Sequence, residues 1–216
     1  MVAVFGLIDY KEAIHLWKSN RTDFWMLTVT FSATLTLGIE LGIGVGVILS
    51  LAMVIFRSTR PHIAVLGKVP GTNIYRNVDR FADVKEREDL LIFRFDAPLY
   101  FANINYFKDK LEEEIARKGI ALKALIFPAN SMYELDSSAV HTLEEVINDC
   151  RNRGIQIYFS GVRGPVRDAM MRGHLTEKIG EQNFFMNIRD AVEFHDGQGN
   201  ETGSSEMKDY VLQVNK

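Results

Sequence analysis

Asp136, Ser137 and Ser138 lie between a predicted strand and a predicted helix, a place where a chain can do two kinds of chemistry. An Asp or Ser there caps the free amides of the first helical turn. The same amides, with the helix dipole behind them, can hold an anion. Glu134 precedes the turn and Thr142 follows on the helix. A switch or binding loop and a plain cap both fit, and the cap is the more ordinary role. Glu40 is the one charge between Phe24 and Phe56. A carboxylate inside so apolar a run marks a functional position by default. Its ordinary alternative is a hairpin tip that reaches headgroup water. Gly38, Gly42 and Gly46 recur every fourth residue, with Gly44 between them. That spacing lays a strip of small residues along one helix face, where another backbone can pack. A nucleotide loop is a poor reading, because no strand-turn-helix context surrounds these glycines.

The five histidines, His15, His62, His141, His174 and His195, are scattered. His141 and Glu144 have helical spacing, but no second histidine completes a zinc pair. The one cysteine, Cys150, excludes an internal disulfide and a cysteine zinc cluster. No metal site, cofactor loop or Ser-His-Asp constellation is readable, so no enzyme and no cofactor are expected. Arg163, Arg167 and Arg172 crowd a late helix, with Lys178 nearby. A solvated basic face is the ordinary reading, and contact with anionic headgroups or a partner chain is the other.

The elements behind these residues fall into two textures. The chain has 216 residues, a net charge of -3 and 47% hydrophobic residues. Those values suit one or two domains and give no basic footprint of a nucleic-acid binder. The apolar residues are concentrated in FWMLTVTFSATLTLGIELGIGVGVILSLAMVIF, Phe24 to Phe56. One straight helix of that length would span roughly 50 Å, against a hydrocarbon core of about 30 Å. A transmembrane hairpin fits better, with spans Phe24–Leu37 and Leu41–Phe56 turning near Gly38 to Glu40. Lys11, Lys18 and Arg21 precede it, and Arg57, Arg60 and Lys68 follow, so both ends are expected to face the cytoplasm. Trp17, Phe24 and Trp25 suit an interfacial belt. Thr28, Thr30, Ser32, Thr34 and Thr36 alternate with period two, which does not match a helix face. Their expected role is to bond back to helix carbonyls. No signal peptide is visible. Residues 1–22 read as the end of a preceding membrane or interfacial helix, as if its beginning were missing.

Residues 58–84 read as a linker, punctuated by Pro61, Gly67, Pro70 and Gly71. Residues 85–196 read as a soluble α/β domain. Strands are expected at Leu90–Phe95, Leu99–Ala102, Ala124–Phe127, Ile155–Phe159 and Phe184–Met186. Helices are expected at Ile104–Lys118, Ser138–Asn152, Gly164–Arg172 and Ile188–Phe194. Val140, Leu143, Val146, Ile147 and Cys150 would face inward from the second of these helices. Residues 197–216 read as a flexible tail.

Three stretches carry a family resemblance. FRSTRPHIAVLGKVPGTNIYRNVDRF, from Phe56, resembles the last transmembrane helix and linker of SulP permeases. LLIFRFDAPLYFANINYFKDKL, from Leu90, is similar to the opening of their STAS domain. YELDSSAVHTLEEVINDCRNRGIQIYFSGVRGPVRD, from Tyr133, resembles the core of that domain, including its Asp-Ser-Ser loop. The resemblance covers roughly Ala3 to Phe194. It implies a mostly parallel STAS sheet flanked by helices, preceded by a membrane hairpin. It also implies the C-terminal segment of a secondary anion transporter of the sulfate or bicarbonate class, with STAS serving regulation and assembly. Further implications are a homodimer, a bacterial inner membrane location and a cytoplasmic STAS domain with a possible protein partner. The family's anion site lies between half-helices of an upstream core, outside this stretch. In STAS proteins that regulate sigma factors the serine after the aspartate is phosphorylated, and Ser137 holds that place. The alternative is therefore a membrane-tethered STAS regulator of the anti-sigma-factor-antagonist type, switched by serine phosphorylation.

Overall fold

A computed structural model describes residues 10–197. The chain divides into two compact units, one up to Ser58 and one from Thr59.

The first unit is helical. α1 covers Tyr10–Ser19, α2 Arg21–Leu37 and α3 Ile39–Thr59. Of the expected 1–22 helix, residues 1–9 lie outside the described residues. α1 ends at Ser19, and the side-chain oxygen of the next residue, Asn20, accepts from the amides of Thr22 (3.1 Å) and Asp23 (3.4 Å) and so starts α2. Gly38 separates α2 from α3 at φ +91, a left-handed conformation that a residue with a Cβ rarely adopts. The turn therefore needs a single residue, and the second span begins at Ile39 rather than Leu41. At 1.5 Å per residue α2 is about 26 Å long and α3 about 32 Å. Among the described residues α3 is the one helix long and apolar enough to cross a membrane by length and composition.

The second unit is a six-stranded sheet in the order β2-β1-β3-β4-β5-β6. Its strands are β1 Ile63–Lys68, β2 Tyr75–Asn77, β3 Leu90–Phe95, β4 Ala124–Pro128, β5 Gln156–Ser160 and β6 Phe184–Phe185. β3 to β6 run parallel, while β1 is antiparallel to both β2 and β3. The helices are α4 Ile104–Lys118, α5 Ser137–Asn152, α6 Gly164–Arg172, α7 Leu175–Ile179 and α8 Ile188–His195. Period two along β3 sends Leu91, Phe93 and Phe95 to one face and Leu90 and Ile92 to the other. The first face forms the larger core with α4 to α7, where Phe107 of α4 meets Phe93, Phe95 and Phe127 at centroid distances of 5.7, 5.3 and 5.8 Å. The second face packs on Ala191 and Val192 of α8.

The expected linker is a correction. Residues 63–68 and 75–77 are strands of the sheet, so the domain begins well before residue 85. Pro70 and Gly71 punctuate a hairpin between two strands, closed by the Val69 amide on the Ile74 carbonyl (2.9 Å). Gly67 is no breaker either: a Cβ there would lie 2.6 Å from the Lys85 carbonyl oxygen, so the position needs glycine for close backbone packing. The expected strand at Leu99–Ala102 reduces to one parallel bridge, Leu99 with Leu135. Buried Asn103 ends it by accepting from the Tyr100 amide (3.1 Å) and donating to the Pro98 carbonyl (2.9 Å). In α5 the buried positions include Ala139, while Val140 is only half-buried.

Candidate functional site

The loop before α5 is built from two neighbouring chain segments. Leu135 is held beside Leu99, and the Asp136 amide donates to the Leu99 carbonyl (3.3 Å). Extended backbone at Asp136, φ -89 and ψ 177, aims its carboxylate back over the first turn. Oδ1 accepts from the Ala139 amide (2.8 Å), and Oδ2 accepts from the Phe101 amide (2.8 Å). Asp136 is thus a cap for α5 and a bracket for the β3–α4 connection. Both its oxygens are occupied by backbone. Ser137 and Ser138 are the first two helical residues, and both are exposed. They open beside a surface hollow of about 430 Å³ lined by Ser137, Val140, His141, Glu144, Arg172 and Gly173 among others. Glu144 of that lining pairs with Lys178. Arg172 brings a cation to its lining.

The remaining sequence candidates are dispersed. Gly42 and Gly46 meet α2: a Cβ on Gly42 would lie 2.3 Å from Thr34 Oγ1, and one on Gly46 would lie 2.9 Å from Thr30 Cγ2. Gly38 serves the turn and not the packing, with nothing within 4 Å of its would-be Cβ. Glu40 stands exposed in the first turn of α3, where a carboxylate suits the helix dipole. Thr28, Thr34 and Thr36 donate to the carbonyls of Phe24, Thr30 and Ser32 at 2.8 to 2.9 Å. Asp23 and Arg57 pair at 3.1 Å and join the open ends of the two helices. Of the late basic residues, Arg167 lies over the Phe184 ring (5.9 Å) and Lys178 is paired with Glu144. Among the described residues no group of three metal-ligating side chains converges.

Sequence reasoning missed two ionic hubs. Arg87 binds Asp89 (2.6 Å) and Asp196 (2.7 Å), tying the end of α8 to the start of β3. Hydrogen bonding from Arg87 outweighs burial and lowers the Asp89 carboxyl to about 2. At the other end of β3, Asp96 gathers Arg94, His62 and Ser131. Burial would raise the Asp96 carboxyl, but hydrogen bonds from Arg94 and His62 prevail and lower it. Arg94 inside an apolar strand was the visible signal for this second hub.

The family model described as the STAS domain matches residues 81–191, just over half of the chain. The chain belongs to the STAS family. Probable sulfate transporter 4.2 of Arabidopsis thaliana is 42% identical over 200 residues, which is 88% of this chain and 30% of that protein. Chloroplastic sulfate transporter 4.1 of the same plant is 40% identical, over 88% of this chain and 29% of its own length. The inward-facing structure of the murine solute carrier 26 family member A9 anion transporter superposes with a TM-score of 0.77 at 26% identity, covering 88% of this chain and 31% of that one. The STAS chain therefore spans about a third of the length of its relatives. The likeness is not confined to the STAS sheet. An aligned 88% is more than the 59–216 unit alone could supply, so it reaches into the helical unit before it.

Proposed function

We propose that this STAS chain works as the C-terminal portion of a SulP-type secondary anion transporter, with its STAS domain serving regulation and assembly. The observation that carries this reading is the extent of the similarity, which joins hairpin and STAS domain in one alignment with sulfate transporters. A membrane-tethered regulator would share only the domain, so that alternative is not favoured. Sulfate is the proposed cargo, because both plant relatives carry that name. The proposed assembly is a homodimer in a bacterial inner membrane, with the STAS domain in the cytoplasm. The membrane setting is supported by α3, an apolar helix of 21 residues that lies almost wholly exposed. The proposed role is transport and not catalysis, in keeping with relatives that are all named transporters.

Within this reading Ser137 is the proposed regulatory position. It is exposed at the start of α5, and a phosphoryl group of roughly -1.5 to -2 charge would sit at a helix N-terminus beside Arg172 and His141. Gly42 and Gly46 are proposed as packing positions, and Glu40 as a headgroup-level residue of the hairpin tip.

The test is uptake of labelled sulfate by the full-length parent protein in proteoliposomes, with bicarbonate and dicarboxylates as competitors. Saturable sulfate uptake is expected. Uptake of another competitor with none of sulfate would overturn the cargo, and no uptake of any anion would overturn the transporter reading.

A further inference from the structure

α1 is too short to cross a bilayer. Its 10 residues reach about 15 Å, half of a hydrocarbon core of about 30 Å. It nevertheless carries apolar surface that its own unit leaves open. Ile14 and Trp17 stand three residues apart on one side of the helix, and they are 52% and 46% exposed. The Trp17 ring meets the Phe24 ring edge-on at 4.9 Å, so the last turn of α1 rests on the first turn of α2. One residue, Asn20, separates the two helices. The apolar side of α1 is therefore set at the open end of the α2–α3 hairpin, the end that Asp23 and Arg57 join at 3.1 Å.

Cations accompany this side. Lys18 follows Ile14 by four residues, so it shares that side, and it is exposed. The Arg21 guanidinium carbon lies 5.5 Å from the centre of the Trp17 ring. The acid nearest to both in sequence is Asp23, which gives one oxygen to Arg57 and the other to the Asn20 side-chain amide (2.6 Å). Among the described residues neither Lys18 nor Arg21 forms an ion pair, so both charges are left for something outside the chain. An exposed indole with an aliphatic neighbour and a guanidinium on its ring suits the boundary between headgroups and acyl chains. The apolar bulk meets the tails, and the indole N–H and the cations meet phosphate. Phe24 and Trp25 already open the apolar run that enters the bilayer, so the headgroup layer lies beside Trp17.

We infer that α1 is an interfacial helix, which seats Ile14 and Trp17 at the headgroup–acyl boundary and binds the phosphate groups of anionic phospholipids through Lys18 and Arg21. This rests on the reading of α2 and α3 as a membrane hairpin and not on which ion is carried.

The chain has two tryptophans, so depth can be read by fluorescence. The full chain is reconstituted in vesicles of phosphatidylcholine, with or without phosphatidylglycerol. The vesicles contain lipids brominated either near the headgroup end or near the methyl end of the acyl chain. Trp25→Phe leaves Trp17 as the only indole. A second reporter combines Phe31→Trp with Trp17→Phe and Trp25→Phe, which puts the indole about 15 Å from the start of α2. Trp17 is expected to be quenched about twice as strongly by the shallow bromines as by the deep ones, and the indole at position 31 to show the reverse. Phosphatidylglycerol is expected to shift Trp17 emission to shorter wavelength. Lys18→Gln with Arg21→Gln is expected to remove that shift, while the indole at position 31 keeps its quenching. If this double variant also loses quenching at position 31, Lys18→Gln alone decides. Deep quenching of Trp17, or none beside a quenched position 31, would overturn the interfacial helix and leave the hairpin standing. No quenching at either position would overturn the membrane reading itself, and the inference with it. A Trp17 signal equal in both lipid mixtures, or one that Lys18→Gln with Arg21→Gln leaves unchanged, would overturn the anionic contact.

Discussion

At Asp136 both carboxylate oxygens bind backbone amides, one at Ala139 and one at Phe101. Removing them uncaps α5 and releases the β3–α4 connection together. Asp136→Ala is therefore expected to destabilise the domain by about 1–2 kcal/mol, read as a lower thermal midpoint. Ser137→Ala should leave that midpoint nearly unchanged, since no cap depends on its side chain. Cys150 offers a second residue-level expectation. It is buried, and burial pushes its thiol up to about 11. A thiol reagent at pH 8 should leave it unmodified in the native chain and react fully after denaturation. Rapid native labelling would show that α5 opens far more readily than its packing implies.

Between elements, the hairpin depends on two glycines and not on all four. Gly42 and Gly46 lie where a side chain would strike Thr34 and Thr30, while nothing lies within 4 Å of a would-be Cβ on Gly44. Gly42→Leu is expected to push α2 and α3 apart, and Gly44→Ala to be tolerated. Cysteine cross-linking between the helices in detergent should fall for the first and persist for the second. Equal loss in both would mean that close approach at Gly42 is not what sets the hairpin. The same contrast separates Gly67, packed against Lys85, from Gly71, which turns a hairpin at φ +74. Composition marks both as breakers. Only the pairing of β1 with its neighbours shows that Gly67 belongs inside a strand.

Over the STAS unit, ion pairs join both chain neighbours and segments that are far apart in the chain. Glu86 meets Arg117, Asp89 and Asp196 meet Arg87, and Asp96 meets Arg94 and His62. For Glu86 and Asp96 burial opposes the shift, but basic partners prevail, and for Asp89 hydrogen bonding from Arg87 leads. These carboxyls are lowered in the folded chain, so it binds fewer protons than the unfolded chain. The stability they add is present above the unfolded carboxylate range near pH 4 and is lost as pH falls through the folded values. For Asp89 that folded value is about 2. Urea midpoints should hold steady from pH 7 to about pH 5 and fall between about pH 4 and pH 2. Since these groups are partly exposed, added salt should shrink the fall. A midpoint that stayed level to pH 2 would mean that the pairs contribute little.

The apolar run from Phe24 to Phe56 and the 3.6-residue faces of α4 and α5 were legible because local periodicity alone decides them. So were the hairpin, the α/β class and the cap at Asp136, each of which depends on neighbours close in sequence. The strand Ile63–Lys68 was not legible, because its flanking Pro and Gly look like a linker until β3 lies beside it. Nor could spacing show that His62, Arg94, Asp96 and Ser131 meet, since Asp96 lies 34 residues from His62 and 35 from Ser131. Such contacts are set by strand register, and register is a property of the folded sheet. The sequence by itself determined the elements and the texture of each unit. Only the tertiary structure decided which charges became neighbours, because burial and pairing across strands, not order along the chain, bring them together.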